Sequence, residues 1–78
     1  MMIRSLIEEL VKSIVDNPGM VEIIETKQDD GTLIMGIKVA EADLGKVIGR
    51  NGQTIKAIRA VVYAINQNDH EIKVDIAS

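Results

Sequence analysis

The residues best suited to chemistry cluster in Gly49-Arg50-Asn51-Gly52, with Lys46 before them and Lys56 and Arg59 after. Two glycines three apart, between an apolar run and a long helical pattern, predict a tight helix-to-helix turn. Such a turn offers backbone N–H groups at the open end of a helix, with a cation in its middle. That is the chemistry of gripping a phosphate. Without a Cβ, Gly49 and Gly52 let a phosphate approach the main chain. Arg50 supplies charge, and Asn51 can hydrogen-bond or tolerate left-handed backbone. Two alternatives stand beside this reading: the glycines could serve the turn alone, and the flanking cations could be solvated surface.

Other chemistries are poorly provided for. The chain has no cysteine, which removes disulfides, thiolate metal sites and a thiol nucleophile. His70 is the single histidine, beside Asp69 and Glu71 at a loop-to-strand junction, where a solvent-facing role is expected. Asp29 and Asp30 fit a turn, and Asp43 fits a helix start facing the positive end of the dipole. No enzyme, metal or cofactor is expected.

Charge sharpens the first reading. The formal net charge is −3, yet Lys46, Arg50, Lys56 and Arg59 fall in a stretch from 44 to 68 without Asp or Glu. The remainder sets five cations against all twelve acids, a balance of −7. An acidic body with one positive strip steers an anionic ligand and holds it modestly.

The elements that must position this strip follow from periodicity. Ile3, Leu6, Ile7, Leu10, Val11 and Ile14 recur at helical spacing, and Asn17-Pro18-Gly19 ends that helix. Met20 to Lys27 reads as a strand, Asp29-Asp30-Gly31 as a hairpin turn, and Leu33, Met35, Ile37 and Val39 as the buried face of a second strand. Glu41-Ala42-Asp43 opens a short helix to about Val47. From Gln53 to about Asn66, Ile55, Ile58, Val62 and Ile65 form an apolar stripe that Ala57, Val61 and Ala64 widen. Lys56, Arg59 and Tyr63 share the opposite arc. Glu71 to Ile76 alternates strictly and forms the last strand. The expected fold is α+β in the order αββααβ, a three-stranded mixed sheet with three helices packed on one face.

Size and composition agree with such a domain. With 46% apolar and 27% charged residues over 78 positions, the chain is ordinary globular material. A chain this short buries only about 60% of its unfolded surface, so dimerisation would help it. Arg4, Glu8, Glu9 and Lys12 interrupt any secretory signal, and no apolar run reaches the roughly 20 residues of a membrane span. A cytoplasmic location is expected.

Val47-Ile48-Gly49-Arg50-Asn51-Gly52 matches the VIGxxG core of K-homology (KH) domains, and the element order is that of the type II, prokaryotic-style KH fold. The resemblance runs over residues 1–78 as a single KH domain, including Val15-Asp16-Asn17-Pro18 and the run from Lys38 to Arg59. At that extent the chain is similar to small bacterial single-KH RNA-binding proteins. The resemblance implies a clamp on about four single-stranded nucleotides. Its site would comprise Lys46, Ile48, Gly49, Arg50, Asn51, Gly52, Ile55, Lys56 and Arg59. Apolar strand residues near Ile37 and Val39 would complete an aliphatic groove. Ile48 and Ile55 can serve core and groove alike. Tyr63 is the sole aromatic, which argues against a base-stacking platform.

The resemblance further implies a homodimer or a heterodimer with a KhpB-like KH-containing protein. It also implies an RNA chaperone or post-transcriptional regulator linked to cell-wall and cell-shape homeostasis. Single-stranded DNA fits the same groove. The competing reading is a protein-interaction module whose KH surface serves mainly for assembly.

Overall fold

The computed structural model describes residues 3–66 and 71–77. Asp69 and His70, and with them the expected solvent-facing histidine, lie outside the described residues. Helix α1 spans Ile3–Lys12, strand β1 Glu22–Lys27, β2 Leu33–Lys38, α2 Leu44–Ile48, α3 Gln53–Ile65 and β3 Ile72–Ile76. The expected α+β order is the order found.

Strands β1 and β2 pair antiparallel, with Ile23 opposite Ile37, and β2 pairs parallel with β3, with Met35 opposite Val74. The sheet order is β1-β2-β3. At the hairpin, Gly31 takes a φ of 93° and Thr32 N–H donates to Asp30 Oδ1 at 2.9 Å. That backbone hydrogen bond from Thr32 holds the Asp30 carboxyl below its ordinary value.

Period-2 alternation sends Ile23, Met35, Ile37, Ile72 and Val74 to the same face of the sheet. There they meet Ile7 and Val11 of α1, Val47 of α2, and Ile55, Ile58 and Val62 of α3. The three helices therefore cover one face. The core is wholly aliphatic apart from Met35, and truncating a central member such as Ile58 to alanine costs about 2–5 kcal/mol.

Three local expectations are corrected. Helix α1 stops at Lys12, where Ser13 Oγ donates to Leu10 O at 2.6 Å and Ile14 N–H tightens onto Val11 O at 3.1 Å. Ile14 is therefore exposed, and Val15 packs on the core in its place. Met20 belongs to a 3-10 turn over Pro18–Met20 and is exposed, so β1 starts later than its β-branched run suggests. On α3 the buried stripe is narrow: Ala57, Val61 and Ala64 are exposed together with Ala60. At about 100° per residue these four occupy one continuous arc opposite Ile55.

Candidate nucleic-acid interface

Helix α2 is five residues long, with Val47 buried in the core, and ends where Gly49 N–H donates to Gly45 O at 2.8 Å. Gly49 then takes φ 76° and ψ 174°. A Cβ there would lie 2.8 Å from both the Cβ and the backbone nitrogen of Thr54. Asn51 follows at φ 56° and ψ 27°, and Gly52 at φ 74° and ψ 16°. Asn51 is the only non-glycine residue with positive φ among the described residues. Asparagine pays less for that conformation than other side chains, and glycine pays nothing.

The turn thus reverses the chain within four residues and delivers it into the thirteen-residue α3. Gly52 precedes α3 with no side-chain cap; Gln53 N–H turns back to Arg50 O, and the positive end of the α3 dipole lies beside exposed Arg50 and Asn51. Lys56 is exposed too, and its Cε lies 4.0 Å from where a Cβ on Gly52 would stand. Arg50 and Lys56 are the cations the structure gathers at the turn, and among the described residues neither forms an ion pair.

The other two cations point elsewhere. Arg59 is one-third exposed; its Nε–H donates to Val74 O at 2.8 Å, and its guanidinium lies 3.6 Å from Asp75. Lys46 pairs with Asp16 and lies 3.6 Å from Asp43 Oδ1. The hydrogen bond to Asp16 and the charges of both carboxylates raise the Lys46 pKa above its ordinary value, against the opposing effect of desolvation.

Asp43 stands at the N-cap of α2, the helix-start position expected of it, but its side chain serves another part of the chain. It is fully buried and makes no cap hydrogen bond to α2. Its carboxylate instead accepts from Asp16 N–H at 3.2 Å, Asn17 N–H at 3.0 Å and Asn17 Nδ2 at 3.0 Å. Burial pushes its pKa up, and these donors with Lys46 outweigh burial, leaving the carboxyl below its ordinary value.

The apolar side of the site is also rearranged. Ile37 is fully buried and Ile55 nearly so, which places both in the core. Ile48 is half-buried. Four residues earlier, on the same side of α2, Leu44 lines a cleft of about 330 Å³ with Lys38, Val39, Glu41 and Ala77. Val39, expected on the second strand, lies one residue past the end of β2 and lines this cleft. Leu44 and Ala77 were not foreseen; the spacing Leu44–Ile48 was the available signal for the first. Tyr63 is half-exposed and borders a separate small hollow with Asn66, Glu71 and Ile72.

Among the described residues no three His, Asp or Glu side chains converge as metal ligands, and no helix is long and apolar enough to cross a membrane. The family model for the KhpA/KhpB KH domain matches residues 4–77. An RNA-binding protein KhpA of Streptomyces coelicolor is 47% identical over 64 residues, covering 82% of this chain and 80% of that protein. One from Listeria monocytogenes is 39% identical over 74 residues, covering 94% and 96%. One from Chlamydia trachomatis is 37% identical over 73 residues, covering 94% and 91%. No solved structure gives a significant match.

Proposed function

The chain belongs to the KhpA/KhpB KH-domain family, and from that premise we propose that it binds single-stranded RNA through Gly49-Arg50-Asn51-Gly52. The observation that carries this reading is the turn itself: left-handed Asn51 and Gly52 open an uncapped helix between exposed Arg50 and Lys56. Phosphates meet backbone amides and two cations there, and bases reach the apolar line of Ile48 and Leu44. Gly49 serves by allowing the turn to close on Thr54. Lys46, Ile55 and Arg59 serve from behind, by holding the frame.

The relatives matched are named RNA-binding proteins, which supports RNA over DNA as the ligand. Two cations are few, so binding alone is modest and a partner adds surface. The matched family model spans KhpA and KhpB together, which supports a KhpB-like KH-containing partner. Action as a cytoplasmic RNA chaperone or post-transcriptional regulator, linked to cell-wall and cell-shape homeostasis, rests on the resemblance of the sequence.

The test is fluorescence anisotropy with short single-stranded RNA. Arg50→Asp with Asn51→Asp should abolish binding while the circular dichroism spectrum stays native. Unchanged affinity in that double variant would sink the assignment.

A second reading is favoured by one observation. Exposed Ala57, Ala60, Val61 and Ala64 give α3 a smooth apolar arc that suits close approach of another helix. The chain would then also act as an assembly module, with a second copy or the KH partner on that arc.

A further inference from the structure

Helix α2 carries the glycine turn, yet five residues cannot hold a helical position on their own; its orientation must come from tertiary contacts. Val47 is one such contact, buried in the core. Gly49, packed against Thr54, holds the far end of the helix, and neither contact fixes its root.

The second attachment lies at the root of α2. Asp43 is fully buried, and both its oxygens are taken by N–H groups of Asp16 and Asn17, 27 and 26 residues earlier in the chain. Lys46, one turn into α2, closes the arrangement by pairing with Asp16 while lying 3.6 Å from Asp43. No buried side-chain polar atom among the described residues is left without a partner, so this polar plug is complete.

Its placement on α2 matters. At about 100° per residue, Lys46 stands roughly opposite the side shared by Leu44 and Ile48. The tether therefore pulls on the back of the helix whose front forms the cleft wall and whose end is Gly49. Loss of the tether lets α2 tilt, and the cleft wall and the turn move together.

We propose that Asp43 is the positioning residue of the RNA-binding turn: it ties the connection between α1 and β1 to the root of α2 and so sets where Gly49–Gly52 are presented. This rests on the RNA-binding reading above, but the turn's position can be read without RNA.

The test compares Asp43→Asn, which turns an acceptor oxygen into a donor facing N–H groups, with the milder Asn17→Ala, which removes one donor. Each is examined well below its own melting temperature. The readouts are RNA affinity, its salt dependence, and the amide resonances of Gly49, Arg50, Asn51 and Gly52.

Asp43→Asn should weaken RNA binding at least fivefold with an unchanged salt slope, and should shift or broaden the four turn resonances. Asn17→Ala should do the same to a lesser degree. A folded Asp43→Asn protein with wild-type affinity and wild-type turn resonances overturns the proposal. Should Asp43→Asn fail to fold, a lowered melting temperature in Asn17→Ala with unmoved turn resonances overturns it equally. A shallower salt slope in either variant also overturns it, because the tether would then be acting through a lost phosphate contact. If the wild-type chain binds no RNA, the RNA reading fails, and the turn resonances still decide whether Asp43 positions the turn.

Discussion

Gly49 and Thr54 are packed so closely that any side chain on Gly49 would collide with the first turn of α3: its Cβ would stand 2.8 Å from the Thr54 backbone nitrogen. Gly52 carries the same sign of φ, 74°, but a Cβ there would meet only Lys56 Cε at an ordinary contact distance of 4.0 Å. The two glycines of the motif therefore do different jobs. Gly49→Ala should lower the melting temperature far more than Gly52→Ala, whose cost is the left-handed backbone alone, about 1–2 kcal/mol. Thr54→Ala should not restore Gly49→Ala, because the backbone nitrogen remains in the way. Thermal unfolding of the four proteins checks this.

The salt dependence of RNA binding counts the cations that reach phosphates. With Arg50 and Lys56 at the turn, the slope of log affinity against log salt should be about −1.4, at roughly −0.7 per contact. Lys56→Ala should reduce it by about 0.7. Lys46→Met should leave it unchanged, since Lys46 is held by Asp16 and Asp43 behind α2. Titrations at several salt concentrations separate the three.

Stability should fall at both ends of the pH range. The Asp43 carboxyl lies below its ordinary value of 3.8 in the folded chain, so its contribution is present above that value and lost as pH falls through the folded one. Lys46 lies above its ordinary 10.5, so its contribution is present below that value and lost as pH rises through the folded one. Denaturant midpoints across pH should show both limbs, and Asp43→Asn should flatten the acid limb.

Assembly through α3 is tested at Val61, which is 43% exposed. Val61→Asp should leave the monomer's melting transition within about 0.5 kcal/mol, as for other exposed positions, and should shift sedimentation toward the monomer. A dimer that survives this substitution lies on another surface.

The order of elements was legible in the sequence because each depends on a pattern a few residues long. The VIGRNG string and its place between two helices were legible for the same reason. What escaped was set by contacts far along the chain. Asp43 reads only as a helix-start acid until Asp16 and Asn17 arrive beside it from 27 and 26 residues away. The early end of α1 at Lys12 escaped as well, because Ser13 Oγ turning back onto Leu10 O leaves no mark in the apolar periodicity. On α3, periodicity marks an apolar side but cannot say how wide a sheet lies beneath it. Alanine fits either environment, so Ala57 and Ala64 carried no warning.

Strand β3 lies at one border of the sheet. Glu71 O and Ala77 N–H bond to β2, so in a parallel ladder the main chain of Ile72, Val74 and Ile76 points away from the sheet. Arg59 already occupies Val74 O, and the Asp75 side chain occupies Ile76 N–H at 2.9 Å. A foreign strand pairing along this half of the border would have to displace a guanidinium at Val74 O and a carboxylate at Ile76 N–H. Sheet extension and fibre growth are thereby hindered along the Val74–Ile76 half of β3, where the two occupied groups lie.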